Sequence, residues 1–187
     1  MRRDFVFVTG NAGKLREAES LLGYRPESFA LDLPELQSLD LREILQAKAR
    51  SAFAALGRPV LVEDVSLELV AMNGFPGPLV KWMLAAAGAQ GIARTAVALG
   101  DTRVRAVCGL AYLDASNGSE ELRLFEGAAE GILVEGRRGE HGFGWDEVFQ
   151  PAGSGRTYAE LTPAEKDPSS HRGKAWRAFL EALGASS

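Results

Sequence analysis

Several short segments of this chain carry residue types that could do chemistry together. The first is Thr9-Gly10-Asn11-Ala12-Gly13-Lys14, directly after the apolar run Phe5-Val6-Phe7-Val8. Gly10 and Gly13 would let the backbone approach an anion closely. The N–H groups of a first helical turn and the Lys14 ammonium would add positive potential. The segment is not a Walker P-loop, because Val8 stands where that pattern needs glycine and Leu15 follows the lysine in place of Ser or Thr. An ordinary strand-to-helix turn would use the same glycines. Glu17 shares a helix face with Lys14, three residues on.

The second segment is Glu63-Asp64, after apolar Val60-Leu61-Val62. Ligands of open α/β sheets sit beyond the carboxyl ends of strands. Two acids there suit a hard cation such as Mg²⁺, and a solvated strand end would read the same way. The third feature is Lys48, on the apolar stripe of Ile44, Leu45, Ala52 and Leu56. A lysine on a buried face either snorkels to the rim or reaches an anion. The fourth is Gly142-Phe143-Gly144-Trp145-Asp146, whose aromatics could lie against a base or anchor a turn in the core. The last is Lys166 followed by Ser169-Ser170-His171-Arg172. Ser170 is a fitting N-cap, so His171 and Arg172 fall in a first helical turn, at the positive end of the dipole. Cations there break a local rule, and such breaks cluster at functional sites. A slightly destabilised surface helix start would also account for them.

The elements that must position these residues alternate along the chain. Val6 to Val8 reads as a buried strand and Lys14 to Leu22 as a helix stopped at Gly23. Glu27 to Leu31 suggests a second strand. Asp40 caps a helix to about Leu56, closed by Gly57 and Pro59. Val60 to Val62 is a strand, and Asn73 to Pro78 a loop rich in breakers. Helices are expected over Leu79 to Ala87 and Ile92 to Leu99. Val104 to Leu113 and Leu122 to Ala129 read as an antiparallel hairpin turning near Asn117-Gly118. Thr162-Pro163-Ala164-Glu165 is a capping box. Ala175, Trp176, Phe179, Leu180 and Leu183 line one face of a last helix, with Gly184 beyond it. The order predicts an α/β protein with a mixed sheet.

Whole-chain properties narrow the function classes. A length of 187 residues predicts one domain over residues 1–187. The net charge of −4 disfavours a nucleic-acid polymer, which needs a basic surface, but not a single nucleotide. Cys108 is the only cysteine, so no disulfide can form within the chain, and a cytoplasmic location is expected. Arg2 and Arg3 precede an apolar run too short for a signal-peptide core, and no run approaches membrane-spanning length.

Taken in order, six segments resemble the inosine triphosphate pyrophosphatases, the Ham1-like or non-canonical purine nucleoside triphosphate pyrophosphatases. They are Thr9 to Lys14 with Glu17, Leu33-Pro34-Glu35, Val62-Glu63-Asp64, Asn73 through Trp82, Gly142 to Asp146, and Glu165-Lys166 through Ser170-His171-Arg172. Their order and spacing match the family over essentially the whole chain. The resemblance implies an elongated mixed central sheet flanked by helices, with two lobes, a nucleotide groove between them and usually a homodimer. It implies Mg²⁺-dependent hydrolysis of ITP, dITP and XTP to the monophosphate and pyrophosphate. By position, Thr9, Gly10, Asn11, Ala12, Gly13, Lys14 and Lys48 match phosphate-contacting residues, and Lys81 a ligand-contacting lysine. Glu35 and Asp64 match metal-binding acids. Asp64 also matches the usual general base, and Glu17 an acid near the metal and the attacking water. Phe143, Gly144, Trp145, Asp146, Lys166, His171 and Arg172 match the nucleobase pocket.

Two positions depart from the family pattern. Val65 replaces a common Ser or Thr, leaving only backbone contact with substrate there, and Glu147 replaces a common proline. The chemistry stands beside the resemblance. Lys14, Lys48, a helix N-terminus and Mg²⁺ would neutralise three phosphates, and Asp64 or Glu17 would position water. Lys166 and Arg172 carry only donors, which suits the O6 of a 6-oxo purine and opposes adenine's amino group. GTP rejection has no assigned residue. Two other readings remain: a related housecleaning pyrophosphatase for other modified nucleotides, and a non-catalytic nucleotide-binding module on the same scaffold.

Overall fold

A computed structural model describes residues 5–116 and 118–184. Arg2, Arg3 and Asn117 lie outside them. Strand β1 (Val6–Val8) is buried on both faces and pairs in parallel with β2 (Ser28–Phe29) and β3 (Val60–Leu69). A strand covered on both faces must be apolar throughout, as Val6, Phe7 and Val8 are. β3 then pairs antiparallel with β4 (Pro76–Gly77) and with β5 (Arg103–Asp114). The hairpin continues into β6 (Glu121–Leu133), which pairs with β7 (Phe149–Pro151). The result is a seven-stranded mixed sheet in the order β2-β1-β3-β5-β6-β7, with β4 beside β3.

Helices cover both faces. α2 (Leu41–Leu56) lies on one face over Val6, Val8, Val60, Val62, Val107 and Ala111. On the other face α1 (Ala12–Leu22) and α5 (His171–Gly184) cover Phe7, Leu61, Cys108 and Leu110. Further along that face α3 (Val80–Ala98) covers Leu67, Leu69, Val104 and Ala106. The capping-box helix α4 (Pro163–Lys166) leads into α5.

Several expected boundaries move. The strand expected over Glu27 to Leu31 is only Ser28–Phe29. The two helices expected after Leu79 are present as the two stretches of α3, broken at Gly88, which adopts the non-helical angles φ 68° and ψ 172°. β6 runs to Leu133 rather than Ala129, because β5 pairs with it as far as Ile132 and β7 pairs with Gly131, Ile132 and Leu133. α5 includes Gly184. The largest change concerns the acid pair. Glu63 and Asp64 lie inside β3, which continues to Leu69 because β5 pairs with it throughout. It is β1 that ends, at Val8 opposite Val62, so the acids are the first residues of β3 without a parallel partner. The notch left there is the carboxyl end that ligands use in such sheets.

Candidate active site

Alternation along β3 sends the two acids to opposite faces. Glu63 points to the α5 side, where it is fully buried, and Asp64 points to the α2 side, where it is partly exposed. Where β1 has stopped, the main-chain oxygen of Glu63 has no strand to receive. It accepts instead from the Lys14 and Lys48 ammonium groups, each at 3.2 Å. Lys48 also donates to Asp64 Oδ2 at 3.2 Å. The lysine on the apolar stripe therefore does not snorkel outward; α2 carries it over the notch. Burial would raise the Asp64 pKa, but Lys14, Lys48 and the Val65 N–H at 2.9 Å outweigh it and hold the carboxyl below its usual range. Asp64 is thus ionised at neutral pH.

The turn into α1 is tighter than expected. Asn11 Oδ1 accepts from the N–H groups of Gly13 and Lys14 at 2.8 and 3.1 Å, so those two donors belong to the helix cap. The helix dipole and the Lys14 ammonium remain available to an anion. Gly13 has a second use: a Cβ there would stand 2.6 Å from the Phe143 ring, so glycine lets the aromatic loop rest on α1.

On the α5 side the charges form a buried network. Arg172 directs Nε at both Glu63 oxygens, at 3.0 and 3.2 Å, Nη2 at Glu63 Oε1 at 3.0 Å, and Nη1 at Glu17. Lys166 Nζ stands 2.8 Å from Glu17 Oε1 and 2.8 Å from Asp146 Oδ2. Burial alone would raise the Glu17 pKa, yet Arg172 and Lys166 bring it below its normal value. Asp146 is raised, because burial there exceeds the help from Lys166. The apparent rule-breaking at the start of α5 is resolved by these partners. Two carboxylates compensate Arg172. Burial, followed by repulsion from Arg172 and Lys166, pushes His171 well below the usual imidazole range, so it is neutral.

His171 stacks on Tyr158 with centroids 5.9 Å apart and lies near Trp145 at 6.3 Å. Neither ring nitrogen of His171, nor Trp145 Nε1, has a hydrogen-bond partner among the described residues, although all three are buried. Buried polar atoms are normally paired, and unpaired ones lining a cavity are what a ligand's polar edge would satisfy.

The phosphate-type and base-type residues share one cavity of about 560 Å³. Thr9, Gly10, Asn11, Lys14, Lys48, Asp64, Val65 and Glu35 line it together with Phe143, Gly144, Trp145, Asp146, His171 and Arg172. Lys81 lines its mouth, 2.6 Å from Glu35 Oε2 in an exposed ion pair. Ala12, Gly13, Glu17 and Lys166 are not on the wall. Glu17 and Lys166 stand behind Arg172 and Asp146 and brace them. Glu147, in place of proline, bonds Arg137 at 2.8 Å, and its main chain accepts from Arg138, so the aromatic loop is tied at that end.

In the sequence Glu63 stands out only as half of an acid pair. The strand alternation that separates it from Asp64 was the signal that could have found its other role. Leu33 and Leu79 of the apolar rim lie within family-like segments, whereas Leu36 and Tyr158 carry no local motif.

Glu35 and Asp64 both face the cavity, but no three His, Cys, Asp or Glu side chains among the described residues form a metal-holding cluster. That pair cannot cage a Ca²⁺ or Zn²⁺. It fits Mg²⁺, which is usually held by one or two carboxylates together with substrate phosphates. No described helix is long and apolar enough to cross a membrane.

Comparison with known proteins gives concordant results. Residues 5–182 match the model of the Ham1 family. The chain is 41% identical over 180 residues to the inosine triphosphate pyrophosphatase of Puccinia graminis f. sp. tritici, covering 91% of each chain. The Ham1 protein of Staphylococcus aureus superposes with a TM-score of 0.81 at 24% identity, over 98% of this chain and 100% of that one. A nucleoside-triphosphatase described as a dITP/XTP pyrophosphatase, from Mycobacterium abscessus, gives a TM-score of 0.68 at 29% identity, over 95% and 99% of the two chains.

Proposed function

This chain belongs to the Ham1 family, and from that premise we propose how it acts as a nucleoside triphosphate pyrophosphatase on ITP, dITP and XTP. The carrying observation is the convergence of Lys14 and Lys48 on the Glu63 carbonyl beside Asp64, in one cavity with Phe143, Trp145, His171 and Arg172. Cations at one end suit a triphosphate, and rings with unpaired polar atoms at the other suit a base.

In this reading Lys14, Lys48 and the N-terminus of α1 bind the phosphates, with Thr9 to Gly13 shaping the turn around them. Lys81 at the mouth adds a further cation. Asp64, kept ionised by the two lysines, accepts a proton from the attacking water or orients it. Glu17 bonds Lys166 and Arg172, so its part is to hold these two cations in place from behind the cavity wall rather than to lie beside the water. Glu35 and Asp64 would hold Mg²⁺. When bound, that ion neutralises charge on the phosphate oxygens and lowers the pKa of its water. Phe143 stacks on the base, while Arg172 favours an oxygen at C6; Lys166, expected to do the same, lies behind the wall and holds Asp146 and Glu17. A guanidinium has more N–H donors than Glu63 and Glu17 use, so Arg172 can still donate into the cavity it lines.

A single domain fits a sheet whose β3 and β5 contribute to all three hydrophobic clusters. A cytoplasmic homodimer is the assembly and location expected of it, with a nucleotide rather than a nucleic-acid polymer as its partner.

Steady-state hydrolysis of ITP, dITP, XTP, GTP and ATP with Mg²⁺ tests the proposal. Inosine monophosphate and pyrophosphate should appear together from ITP, and the 6-oxo substrates should outrun ATP. Inosine diphosphate and orthophosphate as first products would overturn it.

A further inference from the structure

Glu63 is more than the neighbour of Asp64. We infer that Glu63 is a positioning residue for base selection, holding the Arg172 guanidinium against the nucleobase end of the cavity. The inference rests on the pyrophosphatase reading above and adds a residue and a role to it.

The carboxylate is fully buried, and its nearest partner is the Arg172 guanidinium. Arg172 meets it through Nε and Nη2, at 3.0 to 3.2 Å. The Trp176 indole donates to Oε2 at 3.4 Å, and Lys14 Nζ stands 3.6 Å from Oε1. A planar guanidinium gripped on its Nε edge has its plane and direction set by that grip. Glu17 fixes the other end at Nη1, and the Phe143 ring lies 5.2 Å from Cζ. Arg172 is therefore held in one orientation along the cavity wall rather than sampling rotamers. A donor that must distinguish O6 from an amino group needs such a fixed direction, because discrimination comes from leaving the wrong group unpaired.

The phosphate side does not depend on this carboxylate in the same way. Lys14 and Lys48 both donate to the main-chain oxygen of Glu63, which any residue at the position would supply. Altering the side chain should therefore separate the two ends of the site: base recognition fails while phosphate binding persists. A merely structural acid would not make that separation.

The experiment compares wild-type protein with Glu63→Gln and Glu63→Asp. The first removes the charge and keeps the shape; the second keeps the charge that compensates Arg172 and shortens the reach, and gives an independent readout. For each, kcat/KM is measured with ITP and with ATP, and inorganic tripolyphosphate is titrated as an inhibitor that has no base. The inference expects kcat/KM for ITP to fall roughly tenfold or more in Glu63→Gln, as when a charged hydrogen bond is lost. ATP should fall much less, so the ITP-to-ATP ratio narrows, with a smaller narrowing in Glu63→Asp. Tripolyphosphate inhibition should change much less than ITP turnover, since Lys14 loses only its 3.6 Å contact with the carboxylate and both lysines keep the main-chain oxygen as acceptor. Parallel losses for ITP and ATP, or tripolyphosphate inhibition lost along with ITP turnover, would overturn the assignment of Glu63. Absence of pyrophosphate release from ITP by wild-type protein would instead overturn the pyrophosphatase reading, and this assignment with it.

Discussion

Adjacent carboxylates can have opposite duties when they sit on a strand. Asp64 meets Lys48 in a partly exposed notch, whereas Glu63 is sealed among Arg172, Trp176 and Lys14. Only Asp64 combines access to the cavity with a depressed pKa, which makes it the group to remove. Asp64→Asn should lower kcat for ITP by about a hundredfold or more at saturating Mg²⁺, the scale of a lost general base. The fold should survive, because Lys48 keeps the Glu63 carbonyl as acceptor. Near-normal kcat in a folded Asp64→Asn protein would remove Asp64 from the mechanism. At this scale the sequence displayed the candidate residues well: most of those expected at the site line one cavity. It could not display their pairing. Arg172 and Glu63 stand 109 positions apart, and nothing local to either names the other. The same holds for His171, which reads as a cation at a helix start until Tyr158 and Trp145 are seen around it.

At the scale of elements, the base-side residues depend on how closely α5 lies on the sheet. Gly127 of β6 is the contact point. A Cβ there would run into the main-chain oxygen of His171 and the main-chain nitrogen of Ala175, neither of which can swing aside. Gly127→Ala should therefore push the start of α5 outward and cost roughly 1–3 kcal/mol, as overpacked cores do. The shift would move His171 and Arg172 together, so KM for ITP should rise while tripolyphosphate inhibition is kept. Denaturant unfolding and the two kinetic readouts check this, and an unchanged unfolding midpoint would show that α5 is not so tightly seated. Elements with strong local signals were legible: the capped α2, the β5–β6 hairpin and the β1-to-α1 turn all formed near their expected bounds. The misses share one physical cause, which is pairing with a distant partner. β3 continues past its apolar run because β5 is alongside, and β4 and β7 are short strands that exist only against β3 and β6. The break in α3 was legible: its two helical stretches meet at Gly88, where glycine tolerates positive φ.

The stability of the whole molecule should carry the mark of its active site through pH. His171 is buried against Tyr158, with Arg172, Lys166, Lys14 and Lys174 all repelling a proton, so the folded state keeps it neutral. In the unfolded chain it has an ordinary imidazole pKa of about 6.5. Below that pH the unfolded state binds a proton that the folded state refuses, so unfolding gains ground as pH falls. The stability due to neutral His171 is thus full above about pH 6.5 and is lost on acidification toward its depressed folded pKa. The slope is about 1.4 kcal/mol per pH unit for one group. Asp146 acts in the opposite sense. Burial, only partly offset by Lys166, raises its pKa, so its contribution is full in acid and lost as pH rises. A single titration curve would mix the two, and the His171→Gln variant separates them, because glutamine stays neutral and leaves Asp146 in place. Urea unfolding at about pH 7.5 and about pH 5.5 should show wild-type protein losing roughly 1 kcal/mol more than the variant over that interval. Equal losses in the two proteins would mean that folded His171 accepts the proton, and the base pocket would then carry a charge that this account denies it.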